Sequence, residues 1–216
     1  MVRTFSELVA EAEAAPVEGW GFEWLRGRAT EERPSWGYAR RVADRMAGVT
    51  AALDVDTGGG EVLAEVPAPP PLPFRDAVFD LVVSRHPVHT WWDEVARVLR
   101  PGGTYLSQQI GPGTVRELSE AILGPLPPPE HRHPEKPVAD ARAAGLTVVG
   151  LREATLRTVF HDIGAVVWFL RKVVWTVPGF AAGRYADELR RLDERIRAEG
   201  PFVAYARRLL IEARRD

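Results

Sequence analysis

The sequence feature that most constrains the fold is the stretch Glu94–Gln108, which reads Glu-Val-Ala-Arg-Val-Leu-Arg-Pro-Gly-Gly-Thr-Tyr-Leu-Ser-Gln. Pro101 cannot continue a helix, and the two glycines after it allow a sharp reversal of the chain. The run Thr104–Ile110 that follows has the composition of a buried strand. The stretch therefore predicts a helix over Trp91–Leu99 that leads directly into a strand of a buried sheet.

Other strands and helices alternate with this pair along the chain. The apolar runs Ala51–Val55 and Ala77–Ser84 suit parallel strands, and we expect the first to be a central strand that is buried on both faces. Strands that alternate with helices indicate an α/β fold with a doubly wound, mainly parallel sheet. Helices are predicted at Ser6–Ala15, Tyr38–Gly48, Val115–Leu123, Val138–Ala144, Ile163–Val173 and Tyr185–Glu199, and further strands at Leu146–Phe160 and Phe202–Ala213.

Composition limits the classes of protein to which the chain can belong. With 216 residues, of which 45% are hydrophobic, we expect one domain, with a helical cap at 1–48, a core sheet at 51–160, a helical insertion at 161–200 and a last strand at 201–216. The net charge of −2 comes from interspersed charges, which argues against a nucleic-acid partner. Without cysteine, and with neither a signal peptide nor a membrane span, a cytoplasmic protein is expected.

A glycine-rich segment follows the first predicted parallel strand and reads Asp54-Val-Asp56-Thr57-Gly58-Gly59-Gly60. Open α/β sheets bind ligands at the carboxyl ends of their strands, and glycine lets a ligand approach the main chain. A plain flexible turn would use the same residues. The position after a buried strand, and before a predicted helix at Glu61–Glu65, favours a ligand-binding loop.

Three segments in this order resemble class I S-adenosylmethionine-dependent methyltransferases over Ala51–Ile110. They are the glycine loop, the segment Leu72–His86 with its Leu-Pro-Phe and Phe-Asp motifs, and Leu99-Arg-Pro-Gly-Gly103. The resemblance implies an antiparallel C-terminal strand, S-adenosylmethionine as cofactor and a small-molecule methyl acceptor. It implies cofactor-binding residues at Asp54, Asp56, Thr57, Gly58, Gly59, Gly60, Ser84 and Arg85, although Asp56 stands where the family usually has a glycine.

The resemblance leaves the catalytic residue open. His86 and Arg85 follow the strand that carries Asp80, and they are weak candidates because a solvated loop histidine has the same sequence context. The methyl acceptor is expected between the N-terminal cap and the insertion Asp162–Phe180. His131 and His133 are expected to be surface residues, and no metal is predicted. The aromatic residues Trp20, Phe22, Trp24, Trp36 and Tyr38 are expected to pack the cap rather than to line a pocket.

The chain is short between the glycine loop and the strand that carries Asp80. The family places two β-α-β units there, and each needs roughly 30 residues. Either this half of the sheet is lost, so that the sheet is truncated on one side, or the sequence omits a stretch near Pro71–Leu72. The loss would favour a second hypothesis, a catalytically inactive binding or scaffold protein. A nicotinamide-dependent oxidoreductase is disfavoured because the glycine spacing and the acidic residue that it needs are missing.

Overall fold

A computed structural model describes residues 3–19, 21–55, 72–128 and 135–216 of the chain. The elements, in chain order, are α1 (Phe5–Ala14), a 3₁₀ turn (Glu23–Leu25), β1 (Ala29–Glu31), α2 (Tyr38–Met46), β2 (Ala52–Asp54), β3 (Phe79–Arg85), α3 (Trp92–Val98), β4 (Leu99–Ile110), α4 (Arg116–Leu123), α5 (Glu135–Ala143), β5 (Leu146–Phe160), α6 (Ile163–Lys172), α7 (Ala186–Glu199) and β6 (Phe202–Arg215). Every helix and strand expected within these residues is present, and the short β1 is an addition that the sequence did not indicate.

The contacts of the chain form two compact units. The first contains residues 1–32, 113–128 and 156–206, and the second contains residues 33–112, 129–155 and 207–216. The long strands β5 and β6 contribute residues to both units. The expectation of a single domain stays a prediction.

The second unit holds the parallel part of the sheet, in the strand order β5-β6-β4-β3-β2. Strand β3 pairs in parallel with both β2 and β4, whereas β6 pairs antiparallel with β4, from Thr104 opposite Arg214 to Ile110 opposite Arg208. One face of this sheet packs against α3 through Trp92, Val95 and Val98, and the other face packs against Trp36. The predicted α/β fold and its antiparallel last strand are confirmed.

Two expectations about this sheet are wrong. Among the described residues β2 is an end strand that pairs only with β3, so Ala52 and Asp54 are exposed and the strand is not buried on both faces. The Arg-Pro-Gly-Gly segment is also not a turn that precedes the strand. It lies within β4 as an irregularity, because Phe79 pairs with Leu99 while Leu81 pairs with Thr104.

The first unit is built around α6, whose residues from Ile163 to Leu170 are all buried. Asp162 caps this helix by accepting a hydrogen bond from the amide of Ala165. Helix α1 is capped by Thr4, which forms a capping box with Glu7. Strand β1 pairs antiparallel with the end of β5, from Ala29 opposite Phe160 to Glu31 opposite Thr158.

Several expectations fall on residues outside the described ranges, namely the helix at Glu61–Glu65, the surface position of His131 and His133, and the packing of Trp20. Pro137 lies in the first turn of α5, where proline is tolerated. Within the described residues, no helix combines the length and the apolar character that a membrane span requires. The cytoplasmic location stays a prediction.

Candidate functional site

The candidate site is the carboxyl edge of the parallel strands β2, β3 and β4. Asp54 ends β2 opposite Val83, and Arg85 ends β3 opposite Gln108. Both Asp54 and Arg85 are exposed. The parallel pairing therefore brings two of the predicted site residues to one edge of the sheet, which is where open α/β folds bind ligands.

Ser84 is the residue before Arg85 in β3, and its side chain is buried. The hydroxyl is buried and lies 2.7 Å from the hydroxyl of Tyr105 and 2.8 Å from that of Ser107. Tyr105 is fully buried, and burial raises the pKa of its phenol. The three hydroxyls form an internal hydrogen-bonded cluster, so the Ser84 hydroxyl is bonded within the protein rather than presented at the edge.

Tyr38, the first residue of α2, ties the cap to the end of β3. Its hydroxyl donates a hydrogen bond of 2.7 Å to the carbonyl oxygen of Ser84. Burial raises the pKa of Tyr38, and the negative charge of Asp54 raises it further. The Asp54 carboxylate therefore lies close enough to influence a buried phenol that stays protonated.

His86 follows β3 in a left-handed backbone conformation, with φ of +56°. Its amide donates a hydrogen bond of 2.7 Å to the carbonyl oxygen of Gln108. In an extended strand, residue 86 would face the same side as Ser84. The left-handed turn instead brings the ring to the Gln108 side chain, with 2.9 Å between its Nε2 and the Nε2 of the glutamine. The Gln108 side chain also accepts a 2.8 Å hydrogen bond from Trp36.

The environment of His86 disfavours the charged form of its ring. Burial lowers the pKa of His86 to about 3, with further contributions from the positive charges of Arg208 and Arg85. At neutral pH the imidazole is therefore uncharged. A general base works best with a pKa near the working pH, so this environment does not favour proton removal by His86.

The glycine loop cannot be compared with these residues, because Asp56, Thr57, Gly58, Gly59 and Gly60 lie outside the described ranges. Their role in cofactor binding stays a prediction.

Among the described residues, no group of three or more His, Cys, Asp or Glu side chains is placed to hold a metal ion. The expectation that Trp36 packs in the core fits its burial, and Trp24 stacks on Trp168 with 5.7 Å between ring centroids.

Two charged networks involve residues of the Phe-Asp and Leu-Pro-Phe motifs. Asp80 accepts hydrogen bonds from the amides of Thr50 and Ala51, at 3.0 Å each, and these and further bonds from Thr50 and Arg100 lower the pKa of Asp80 to about 2. The Phe-Asp motif thus fixes the start of β2.

The second network centres on Arg97, which contacts both ends of the Leu-Pro-Phe segment. Its guanidinium donates to the carbonyl oxygens of Leu72 and Phe74 and pairs with Asp76 at 2.8 Å and Glu94 at 2.7 Å. These carboxylates raise the pKa of Arg97. Neither network is among the sequence-based predictions. The sequence signal for these networks is the occurrence of charged residues, Asp80 and Arg97, within segments that are otherwise apolar.

Comparison with known proteins agrees with this arrangement. The methyltransferase domain family matches residues 53–107, which run from β2 through the end region of β4. Over these residues the chain is similar to a methyltransferase domain. S-adenosylmethionine is the cofactor that this domain family indicates. The matched residues include Asp54, Ser84, Arg85 and His86 and the charged networks of Asp80 and Arg97.

The chain also resembles individual proteins. It is 42% identical over 55 residues to an uncharacterized protein of Escherichia coli strain K12, YafE; the match covers 22% of the chain and 27% of the relative. The chain thus matches only about a quarter of that relative's length. A candidate methyltransferase of Bacillus halodurans is 16% identical, with a TM-score of 0.43 over 66% of this chain and 67% of that one. The YcgJ protein of Bacillus subtilis is 19% identical, with a TM-score of 0.40 over 67% of each chain. At such TM-scores these two likenesses carry no argument about function.

The described residues at the carboxyl edge fit S-adenosylmethionine in part. The exposed Asp54 carboxylate can accept hydrogen bonds from the positively charged or hydroxyl groups of this cofactor. The Ser84 hydroxyl is already hydrogen-bonded to two other hydroxyls, so it has less capacity to bond the cofactor. The edge of β2, where the family has further strands, carries no strand among the described residues.

Proposed function

We propose that the chain transfers the methyl group of S-adenosylmethionine to a small-molecule acceptor at the carboxyl edge of β2, β3 and β4. The observation that carries this proposal is the family match over residues 53–107. The matched residues include the carboxyl ends of β2 and β3 and most of β4, which pairs with β3 at this edge. The balanced charge of the chain supports a small molecule rather than a nucleic acid.

The residues of the chain contribute binding and alignment. When bound, S-adenosylmethionine supplies an electrophilic methyl group on a positively charged sulfur. Asp54 accepts hydrogen bonds from the cofactor, and the glycines Gly58, Gly59 and Gly60 leave room for it beside the main chain. Methyl transfer is an in-line displacement, so correct positioning of the two reactants supplies much of the rate.

A second candidate function is a methyltransferase-like binding or scaffold protein without catalytic activity. The observation that favours it is the position of β2 at the end of the described sheet. Positions 56 to 71 provide about half of the roughly 30 residues that one β-α-β unit needs. The residues that hold the cofactor ribose and adenine in the family then have no place in this chain.

Calorimetric titration of S-adenosylhomocysteine separates the two functions. The intact mass of the protein is first checked against 24.0 kDa. We expect Gly58→Val to abolish binding because its side chain fills the space beside the main chain, and Asp54→Asn to weaken binding roughly tenfold because a charge-assisted hydrogen bond is lost. The controls are His131→Ala, at a residue that is not among the predicted cofactor-binding residues, and Asp44→Asn, at an exposed residue of α2.

Each outcome decides between the candidates. Binding that both controls retain, that Gly58→Val loses and that Asp54→Asn weakens supports the cofactor site. Equal affinity in the parent and Gly58→Val contradicts it. No binding by a parent protein of the stated mass favours the scaffold function.

A further inference from the structure

We propose that Gln108 is a positioning residue that, together with Trp36, holds His86 as the neutral Nδ1–H tautomer, so that His86 donates a hydrogen bond at the carboxyl edge instead of removing a proton there. The tautomer follows from contacts within the second unit alone. Its role in a reaction rests on the proposed function, since only that function makes the carboxyl edge a reaction site.

The first step is the contact between Trp36 and Gln108. The indole nitrogen of tryptophan is a donor only, and it lies 2.8 Å from Oε1 of Gln108. Both side chains are buried, at 8% and 4% exposure, so water does not replace this contact. A reversed amide would place its NH₂ group against the indole N–H, with two donors facing each other. Trp36 therefore fixes which end of the Gln108 amide carries the oxygen.

The second step is the contact between Gln108 and His86. With its oxygen turned to Trp36, the amide presents its NH₂ group to Nε2 of His86 at 2.9 Å. A donor at this distance requires a lone pair on that ring nitrogen, since a second N–H would leave two donors opposed. The lone pair of Nε2 is thus engaged, and in a neutral ring the proton is on Nδ1.

The third step concerns the position of the His86 ring, which three parts of the second unit fix. The amide of His86 is bonded to the carbonyl oxygen of Gln108 at 2.7 Å, and its φ of +56° turns the ring away from the side of Ser84. Non-glycine residues adopt this conformation uncommonly, and histidine is among those enriched there. The backbone of β3, the Gln108 side chain of β4 and the indole that precedes α2 together set the position and the tautomer.

The charges around the ring act in the same direction. Arg85 ends β3, and Arg208 lies on β6 opposite Ile110; both are cations that oppose a charged imidazole. Burial of the ring opposes the charged form most strongly. His86 therefore stays a neutral donor across the range in which free histidine titrates.

This tautomer restricts the class of methyl acceptor. An acceptor at the edge cannot pass a proton to Nε2 of His86 while Gln108 occupies its lone pair. It can accept a hydrogen bond from the Nδ1–H group through an oxygen or nitrogen atom. The geometry thus points to acceptors whose nucleophilic atom needs no histidine base.

Two-bond ¹H–¹⁵N correlation spectra of ¹⁵N-histidine-labelled protein test the proposal without any cofactor. The signals of His86 are assigned by their loss in His86→Gln. We expect the Nδ1–H pattern for His86 in the parent protein from pH 5.5 to pH 8. An Nε2–H pattern, or titration of His86 near its ordinary pKa, would overturn the proposal.

Variants at position 108 test whether Gln108 sets the tautomer. In Gln108→Glu the carboxylate accepts from both Trp36 and His86, so we expect the ring proton to move to Nε2 and the pKa of His86 to rise. Gln109→Glu is the matched control, because the Gln109 side chain donates to Thr90 rather than to His86. An unchanged tautomer in Gln108→Glu contradicts the proposal.

If Gln108→Glu does not fold, Trp36→Phe provides the second test. It removes the donor that fixes the amide, so both tautomers of His86 should appear. A pure Nδ1–H pattern in this variant contradicts the role of Trp36. Since no spectrum depends on S-adenosylhomocysteine, failure of the proposed function leaves this result standing, and a wrong tautomer leaves the calorimetric result standing.

Discussion

Gly102 and Gly103 are needed for different reasons. Gly102 has a φ of +79°, and a side chain on it would enter open space. A Cβ on Gly103 would lie only 2.8 Å from the carbonyl oxygen of Arg100 and 3.2 Å from that of Phe79. The first glycine is therefore required by its backbone conformation. The second is required mainly by the close carbonyl oxygen of Arg100 within β4, and the carbonyl oxygen of Phe79 in β3 adds a further tight contact.

We expect Gly102→Ala to lower the free energy of unfolding by about 1 kcal/mol because of the left-handed φ. Gly103→Ala should lower it more, by about 2 to 3 kcal/mol, because main-chain atoms must shift. Urea unfolding measures both changes. Gly150→Ala in β5 is the control, since its Cβ would lie 3.8 Å from Cβ of Glu212 in ordinary contact. Equal effects of Gly103→Ala and Gly150→Ala would contradict the steric explanation.

At the level of elements, α6 is fixed to α1 and β1 by its first residues. Asp162 accepts hydrogen bonds from the Ala165 amide at 2.9 Å and from the guanidinium of Arg28 at 3.1 Å through both carboxylate oxygens. A Cβ on Gly164 would lie 2.9 Å from the carbonyl oxygen of Leu8, so α1 and α6 approach closely. Asp162 thus serves both as a helix cap and as the partner of a mostly buried arginine.

Asp162→Ala should lower the free energy of unfolding by about 2 to 3 kcal/mol, because it removes the cap and leaves Arg28 without this carboxylate. Asp162→Asn keeps a capping oxygen, so its effect should be about 1 kcal/mol smaller. Denaturant unfolding gives both values. Asp187→Ala, which changes an exposed residue in the first turn of α7, should have an effect below about 0.5 kcal/mol. If Asp162→Ala is as mild as this control, Asp162 does not have the two roles assigned to it.

At the level of the whole molecule, the neutral His86 links folding to pH. The pKa of His86 in the folded protein is about 3, below the ordinary value of 6.5 that applies to the unfolded chain. As the pH falls below 6.5, the unfolded chain binds a proton that the folded protein does not bind. The contribution of His86 to stability is therefore complete above that pH and is lost progressively as the pH falls toward 3.

The free energy of unfolding of the parent protein should fall by about 2 kcal/mol more than that of His86→Gln between pH 7.5 and pH 5. Urea unfolding at both pH values measures the difference. Other titrating groups, including Asp80, are common to both proteins and cancel in the comparison. The same loss of stability in the two proteins would show that His86 titrates normally in the folded state.

Local patterns in the sequence were enough to predict the elements and part of the site. Apolar periodicity acts over a few residues, so the order of helices and strands could be expected. The antiparallel last strand was expected from the family resemblance and not from periodicity. Asp54 and Arg85 could be placed at one edge because parallel strands end together there. The role of these residues in binding stays a prediction.

Only the tertiary structure decided what depends on residues that are distant in sequence. The end position of β2 depends on which strands pair with it. The environment of His86 requires Gln108, Trp36 and Arg208, none of which is near it in sequence. The sequence by itself determined the elements because their signals are local, whereas burial, pairing and protonation arise from contacts that folding alone brings together.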